Sequence, residues 1–332
     1  MYKKKILITG GLGYIGSVLA VNLIKKYSVF ILDKSSKNRF IKSKNIKIFK
    51  INLKNFKKSY KIIKKISPDI IVHLAAQSTI DMVKNKKKSY LINNLNVTEN
   101  IVNISKLLKV KKFIFSSTAA VYKQKNKSLS EKDVLRPNNL YGLTKLKNEI
   151  FIKSSFINTQ TKFCILRFFN VCGADKKNLI GEYHIPETHL LPIIINNALK
   201  KRTIYIYGNN YLTKDGTCIR DYVHVKDIVS GIIKSIDYLK NNNSAIFNLG
   251  TEKGLTVLEL INFCKKKLKS NIFLKIKNRR FGDMEKLVCK FDKAKKFLKW
   301  IPKYSSVGKI VNDEIWWCHH LSSKNYHRNF IY

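Results

Sequence analysis

A tyrosine and a lysine stand four residues apart in the segment YGLTK, as Tyr141 and Lys145. If this segment begins a helix, side chains at that spacing lie on one face and close together. A phenol with a pKa near 10 is a poor base at neutral pH. A neighbouring ammonium group stabilises the phenolate and lowers that pKa. The pair could therefore take a proton from a hydroxyl group while the carbon that bears it is oxidised.

Hydroxyl groups at the end of an apolar stretch could join this pair. The segment FIFSSTAAVY (113–122) reads as a buried strand that ends in two serines and Thr118, followed by two alanines. It offers no carboxylate and no histidine. Thr118 could hydrogen-bond a substrate at this strand end, but the base must come from another part of the chain.

A glycine-rich loop predicts the site of the oxidant. The segment ITGGLGYIG (8–16) follows an apolar stretch and carries Gly10, Gly13 and Gly16. Glycines at this spacing allow a tight turn and let the backbone approach a pyrophosphate at a helix N-terminus. Asp33 ends the second apolar stretch, where a carboxylate accepts hydrogen bonds from an adenosine ribose and disfavours a 2′-phosphate. The sequence therefore predicts bound NAD rather than NADP, and its positive ring would also favour the Tyr141 phenolate.

The elements that would position these residues alternate along the first half of the chain. Apolar runs predict buried parallel strands near 5–9, 29–33, 46–51, 69–75, 112–117 and 163–169. Helical periodicity falls between them, near 14–26, 55–66, 88–109 and 142–157. Such alternation predicts an α/β fold with a Rossmann-type, doubly wound parallel sheet.

The alternation loosens after about residue 170, where polar, turn-rich loops become common. We therefore expect an NAD-binding domain over 1–170 and a smaller, irregular α/β domain over 171–332. The segment near 221–250 resembles a strand and a helix that could return to the first domain.

The charge of the chain is its most unusual bulk property. The 332 residues carry a net charge of +44, almost all of it from lysine, with only eight arginines. A basic surface could bind nucleic acid. The lysines are spread along the chain rather than gathered in one arm, however, so we expect a solvated surface with incidental polyanion binding at low salt.

Cysteine spacing and hydropathy restrict the class of protein further. The six cysteines form no C-x-x-C pair, which favours free thiols in a reducing cytoplasm and gives no support for a metal site. The adjacent His319 and His320 would diverge on a helix, so we expect no metal there either. No apolar run reaches the ~18 residues of a membrane span.

Together these residues resemble the extended short-chain dehydrogenase/reductase family, and the second half of the chain narrows the resemblance to its UDP-sugar epimerases. The resemblance implies reversible inversion at C4 of a UDP-hexose, interconverting UDP-galactose and UDP-glucose, with NAD regenerated in each cycle. The matching segments are LRFFNVCGAD (166–175), IGEYHIPETHLLP (180–192), IYIYGNNYLTKDGTCIRDYVHVKD (204–227), FNLGT (247–251) and RRFGD (279–283).

The same resemblance implies a set of binding residues. NAD would contact Gly10, Gly13, Tyr14, Ile15, Gly16, Asp33, Asn52, Leu53, Ala75, Ala76, Gln77, Asn93, Ser116, Tyr141, Lys145 and Phe169. The UDP-sugar would contact Thr118 and Tyr141 at the 4-oxygen, Asn170, Arg220 and Arg280 at the diphosphate, Asp283 at the uridine ribose, Leu190 and Tyr207 at the uracil, and His189.

Several positions depart from common patterns of this family. Asn52 stands where many members have an aspartate for the adenine, although its side-chain oxygen can still accept a hydrogen bond. Ser78 stands where some members have a lysine, Leu140 where a proline is common, and His189 where some have an asparagine. Leu287 aligns with a position that gates substrate size, and leucine leaves N-acetylhexosamines undecided.

Three alternative functions stand beside the expected 4-epimerisation of a UDP-hexose. A sister class, the 4,6-dehydratases, needs an added acid and base, usually an Asp-Glu pair after the strand-end threonine. Ala119 and Ala120 stand there instead and cannot transfer protons. A 4-epimerase of UDP-N-acetylglucosamine, UDP-arabinose or UDP-glucuronate stays open. A catalytically inactive NAD-sensing or polyanion-binding protein would be expected to lose the Tyr141–Lys145 pair.

The resemblance also implies an assembly. Helices near 88–109 and 142–157 carry apolar residues on more than one face, and family members commonly pair such helices in a dimer. We therefore expect a homodimer.

Overall fold

The computed structural model describes residues 3–35, 40–41, 43–77, 87–280, 282–324 and 326, and no side chain among 87–89. Its strands are β1 (Lys5–Thr9), β2 (Ser28–Asp33), β3 (Ile46–Lys50), β4 (Ile70–His73), β5 (Lys112–Thr118), β6 (Lys162–Phe168), β7 (Asn170–Cys172), β8 (Ile204–Tyr207), β9 (Ile219–His224), β10 (Ala245–Leu249), β11 (Gly254–Thr256), β12 (Leu274–Lys277) and β13 (Lys286–Leu287). Its helices are α1 (Tyr14–Leu23), α2 (Phe56–Ile66), α3 (Lys87–Leu107), α4 (Leu140–Phe156), α5 (Leu190–Leu199), α6 (Val225–Tyr238), α7 (Val257–Leu268), α8 (Asp292–Leu298) and α9 (Val307–Ser323).

Seven strands form one parallel sheet in the order β10-β6-β5-β4-β1-β2-β3. Each hydrogen-bonded pair in this sheet is parallel. The six apolar runs of the first half supply six of the strands. This arrangement confirms the predicted α/β fold with a doubly wound sheet.

Helices cover both faces of the sheet, which explains why its strands are apolar without alternation. Side chains alternate between the two faces of a strand. Ile6 and Ile8 of β1 therefore join the core that includes α1 and α6, while Leu7 joins the core on the opposite face with α2, α3 and α4.

A smaller sheet and its helices follow in the second half. Strand β9 pairs with β7, β11 and β13, and β8 pairs with β12. Apolar side chains of α5, α7 and α9 pack together beside these strands. Helix α7 begins with a capping box between Thr256 and Glu259, which satisfies backbone N–H groups at its first turn.

The segment 221–250 divides between the two sheets. Helix α6 packs against α1, and β10 pairs in parallel with β6. The strand part of the segment, in contrast, belongs to β9 and lies in the smaller sheet. Within the described residues, no helix is both long and apolar enough to cross a bilayer.

Candidate active site

A cleft of about 870 Å³ opens at the carboxyl ends of the central strands. The strand order reverses between β1 and β4, and ligands of doubly wound sheets bind at such a point. All sixteen residues expected to contact NAD line this cleft. Four of those expected to contact the UDP-sugar line it as well: Thr118, Tyr141, Asn170 and His189.

The glycine loop leaves no room for larger side chains. Gly10 has a φ of +68°, and a Cβ there would lie 2.8 Å from the Cα of Ala75. A Cβ on Gly16 would lie 2.5 Å from the Gly10 carbonyl oxygen. Gly13 is the N-cap residue of α1, so the positive end of this helix faces the cleft. The loop therefore fits the pyrophosphate of a dinucleotide.

Two loops hold the carboxylate of Asp33 at the edge of the cleft. Its Oδ2 accepts a hydrogen bond from Leu12 N at 3.1 Å, and its Oδ1 accepts one from Ser35 N at 3.0 Å. Each oxygen keeps a lone pair for a further donor such as a ribose hydroxyl. At the end of the cleft expected to hold the adenine, Asn52 Oδ1 accepts a hydrogen bond from Lys54 N at 3.1 Å. The local turn therefore already uses one of the two lone pairs of this oxygen.

The catalytic pair lies at the start of α4. Asn139 caps this helix by accepting from Gly142 N at 2.8 Å, so the helix begins at Leu140, two residues earlier than the sequence predicts. Lys145 is buried and donates to Ser116 O at 2.7 Å. Its Nζ lies 5.8 Å from the centroid of the Tyr141 ring.

The pKa values of this pair differ from the sequence expectation. Burial raises the pKa of Tyr141 to about 12. Burial also lowers the pKa of Lys145 to about 7, although Glu149 opposes this shift. In the protein alone, burial of the phenol therefore outweighs any stabilisation of the phenolate by Lys145. A lowered pKa would come from the positive ring of bound NAD⁺.

Thr118 ends β5 and turns the chain toward the cleft. Its Oγ1 accepts from Ala120 N at 3.2 Å and caps a 3₁₀ turn over Ala119–Val121. A Cβ on Gly142 would lie 2.2 Å from Ala120 O, so the start of α4 packs directly on this turn. These contacts fix Thr118 and the catalytic helix relative to each other.

A buried polar network beneath α4 was not anticipated from the sequence. Glu149 and Arg167 form a two-pronged ion pair, with N–O distances of 2.7 and 3.0 Å. Arg167 also donates to Tyr122 Oη at 2.8 Å, and Tyr122 donates to Asn248 Oδ1 at 2.7 Å. Ser117 donates to Glu149, which ties β5 to α4. Two features of the sequence could have indicated this network: Glu149 lies four residues after Lys145, and Arg167 lies inside an apolar strand.

Asn94 is a second residue that the sequence reasoning missed. Its Oδ1 accepts from Gln77 N at 2.8 Å, and its Nδ2 donates to Gln77 O at 3.1 Å. Asn94 therefore holds the backbone of a predicted cofactor residue in place. Ser78, the next residue, lies outside the described part of the chain.

The remaining substrate residues do not line the cleft. Arg220 donates to Met284 O at 2.6 Å and lies 3.4 Å from Asp283. The exposed Arg280 lies over the ring of Tyr207 at 3.8 Å. A Cβ on Gly282 would lie 2.8 Å from Asn138 O, so this loop contacts the residues that precede Tyr141.

The segment before α5 contains a charged cluster that the sequence did not predict. His189 Nδ1 lies 2.8 Å from Glu187 Oε1 and 3.0 Å from Glu182 Oε1. His184 Nδ1 lies 3.4 Å from the same oxygen of Glu182. Burial would lower the pKa of His189, but the two carboxylates raise it well above its usual value. Leu190 follows as the first residue of α5.

Comparison with known proteins identifies the family. The model of the NAD dependent epimerase/dehydratase family matches residues 6–250. The chain therefore belongs to this family, which confirms both the resemblance and NAD as the cofactor.

Relatives of known function resemble the chain over most of its length. The UDP-glucose 4-epimerase of Halalkalibacterium halodurans is 36% identical over 312 residues, covering 92% of this chain and 93% of that protein. The UDP-Glc/GlcNAc 4-epimerase of Campylobacter jejuni is 35% identical with a TM-score of 0.81, covering 96% and 99%. A UDP-glucose 4-epimerase of Bifidobacterium longum, solved with NAD⁺ and UDP, is 28% identical with a TM-score of 0.89, covering 97% and 99%.

Proposed function

We propose that this protein is a UDP-glucose 4-epimerase, an isomerase of nucleotide-sugar metabolism that interconverts UDP-galactose and UDP-glucose. The observation that carries the proposal is the shared cleft of the glycine loop, Tyr141 and Thr118, with Lys145 buried behind them. Ala119 and Ala120 provide no second acid or base after Thr118, which favours epimerisation over dehydration.

The chemistry requires one proton transfer in each direction. Bound NAD would supply the hydride acceptor and donor for C4, and inversion requires the 4-keto sugar to turn over between the two transfers. Tyr141 as phenolate takes the proton of the 4-hydroxyl group during oxidation and gives it back during reduction. Thr118 hydrogen-bonds the 4-oxygen, and Lys145 stabilises the phenolate and holds the nicotinamide ribose.

The UDP moiety would occupy the side of the cleft nearest the second half of the chain. Asn170 and His189 line that part of the cleft. Arg220 and Arg280 supply guanidinium groups for the diphosphate. Asp283 accepts from the uridine ribose, and Leu190 and Tyr207 enclose the uracil. Because Arg220, Arg280, Asp283, Leu190 and Tyr207 do not line the cleft, we expect a rearrangement when the UDP-sugar binds. The loop of Arg280 and Asp283 and the side chains of the other three would then move toward the ligand.

The decisive experiment measures conversion and bound cofactor together. Purified protein is incubated with UDP-galactose, and UDP-glucose is quantified by chromatography. A second sample receives UMP and a reducing sugar, and absorbance is followed in the reduced-nicotinamide band. We expect conversion in the first sample and a rise in absorbance in the second. Protein that holds no NAD and converts no UDP-galactose would contradict the proposal.

Other UDP-sugars form the second candidate. Leu287 packs against the apolar cluster of Ala119 and Phe169, beside the catalytic strand end, and is smaller than a tyrosine. A panel of UDP-galactose, UDP-N-acetylgalactosamine, UDP-arabinose and UDP-glucuronate, analysed by product identity, separates these activities.

We further propose a cytoplasmic homodimer. Helix α3 packs along α4, and Ile92, Leu143 and Ile150 on these helices are 42%, 37% and 56% exposed. A second copy would cover them. The six cysteines are buried with free thiols, which suits a reducing compartment. Light scattering that finds a monomer at micromolar concentration would contradict the dimer.

A further inference from the structure

Four potential metal ligands converge within one short segment beside the cleft. Glu182, His184, Glu187 and His189 each place one ligand atom within 4.8 Å of the other three. They all belong to residues 182–189, which lead into α5. No role in the proposed hydride and proton transfers uses Glu182, His184 or Glu187.

The orientation of the two imidazole rings is the informative feature. His184 and His189 both direct Nδ1 toward the same carboxylate oxygen, Glu182 Oε1, at 3.4 and 3.0 Å. Their ring centroids are 5.0 Å apart. Both nitrogens can donate to this oxygen only if each ring carries a proton on Nδ1; with the proton on Nε2 instead, each Nδ1 offers a lone pair to the same point. A cation between the four atoms accepts a lone pair from each nitrogen and each carboxylate.

The two carboxylates of this cluster are buried, and the backbone that carries them is anchored to the rest of the protein. The side chains of Glu182 and Glu187 are 3% and 0% exposed, whereas those of the two histidines are 32% and 39% exposed. The backbone at Glu182 accepts a hydrogen bond from Trp317 Nε1 at 2.6 Å. A Cβ on Gly181 would lie 2.5 Å from the Trp317 ring, so the segment packs tightly against α9.

We propose that Glu182, His184, Glu187 and His189 bind one Zn²⁺ ion, or a similar late first-row divalent metal. Two imidazole nitrogens and two carboxylate oxygens suit zinc, which takes four such ligands in tetrahedral geometry. Magnesium and calcium prefer oxygen ligands alone. The two carboxylates balance the charge of the ion.

The ion would fix one wall of the cleft. Glu182, His184 and His189 line the cleft, and His189 is also the N-cap residue of α5. Coordination through Nδ1 leaves Nε2–H as the remaining donor of His189. If the proposed function holds, this donor would face the diphosphate of the UDP-sugar, and the metal would act as a positioning element.

Metal binding can be tested without any assay of turnover. The full chain is stripped with a chelator and titrated with Zn²⁺ against a chromophoric chelator. We expect one zinc per chain, and a visible absorption band of four-coordinate cobalt when Co²⁺ replaces zinc. His184→Ala and Glu187→Gln should each weaken zinc binding by at least roughly 100-fold, since the loss of outer-shell partners alone costs 10–100-fold.

A matched variant controls for non-specific binding of zinc to histidine side chains. His319 is an exposed histidine on α9 outside the cluster, so His319→Ala should bind zinc as the original chain does. Zinc should raise the melting temperature of this control and of the original chain, but not that of His184→Ala. Absence of saturable zinc binding, or equal binding by His184→Ala, would overturn the proposal. Conversion of UDP-galactose, measured separately, decides the epimerase proposal whatever the zinc result.

Discussion

The cofactor side and the substrate side of this site are built in different ways. Each residue expected to contact NAD lines one cleft, and most of them follow strands of a parallel sheet. On the substrate side, Leu190, Tyr207, Arg220, Arg280 and Asp283 lie outside that cleft. Arg220 pairs with Asp283, Arg280 lies over the ring of Tyr207, and Leu190 packs against the apolar core beside α5.

The difference follows from what supports each side. Strand ends of a parallel sheet are fixed by hydrogen bonds and by cores on both faces, so the cofactor loops have little freedom. The loop that carries Arg280 and Asp283 is partly exposed, and its described contacts are with Tyr207, with Arg220 and with the residues before Tyr141. We expect the cofactor site to be preformed and the substrate site to close around its ligand.

The largest effect should come from the residue that connects both sides. Tyr141→Phe removes the proton acceptor and should lower turnover of UDP-galactose by ~10³–10⁴-fold, within the usual range for a lost general base. NAD content, measured after denaturation of the purified variant, should stay unchanged. Turnover close to that of the original chain would refute the role of Tyr141.

The buried network should matter for the stability of the cofactor side. Glu149→Gln leaves Arg167 buried without its ionic partner, which should cost about 3–5 kcal/mol of unfolding free energy. Asp237→Asn is the control, because Asp237 pairs with Lys26 and Lys240 on the surface and should cost less than about 1 kcal/mol. Equal losses of unfolding free energy in the two variants, measured by urea denaturation, would show that burial does not decide how much each ion pair stabilises the protein.

Acid should also destabilise the cofactor side. His73 is fully buried between Thr9 and Thr98, and burial, with a smaller contribution from Lys145, lowers its pKa to about 3. Between about pH 6.5 and 3 the unfolded chain binds a proton that the folded chain excludes, so stability falls as the pH falls.

The expected loss from His73 at about pH 4.5 is roughly 2–3 kcal/mol relative to pH 7. His73→Gln should reduce the pH dependence by this amount, measured by urea denaturation at both pH values. An unchanged dependence would contradict a neutral, buried His73.

The glycine loop offers a more local test of the preformed cofactor site. Gly16→Ala places a Cβ 2.5 Å from Gly10 O, and overpacking of this kind costs about 1–3 kcal/mol. NAD affinity should fall by roughly 10–100-fold in a titration. Gly308→Ala is the matched control, since its Cβ would meet nothing nearer than Phe263 Cζ at 3.8 Å. Equal affinities in both variants would contradict a closely fitted loop.

The smallest effect should fall on the substrate side. Arg280→Ala should raise the KM for UDP-galactose by about tenfold. This is the effect expected when one partly exposed hydrogen bond from a charged group to the substrate is lost. NAD content should stay constant. Arg279→Ala removes the neighbouring guanidinium, which lies over Tyr211, and should change the KM less. A larger effect at Arg279 would reassign the phosphate contact.

The sequence by itself determined the doubly wound sheet, the glycine loop with Asp33 and the Tyr141–Lys145 pair. These features depend on local spacing: apolar periodicity defines each strand, and four residues along a helix place two side chains together. The resemblance added the UDP-sugar residues, because whole segments match rather than single positions.

Only the tertiary structure decided which distant groups meet. Glu149 and Arg167 lie on different elements and pair because α4 packs across β6. The pKa of Tyr141 depends on burial, which no spacing encodes. His184 and His189 became candidate ligands only when the turn before α5 brought both rings to Glu182. The first two features depend on packing between elements and the third on the conformation of one turn, and sequence periodicity carries no information about any of them.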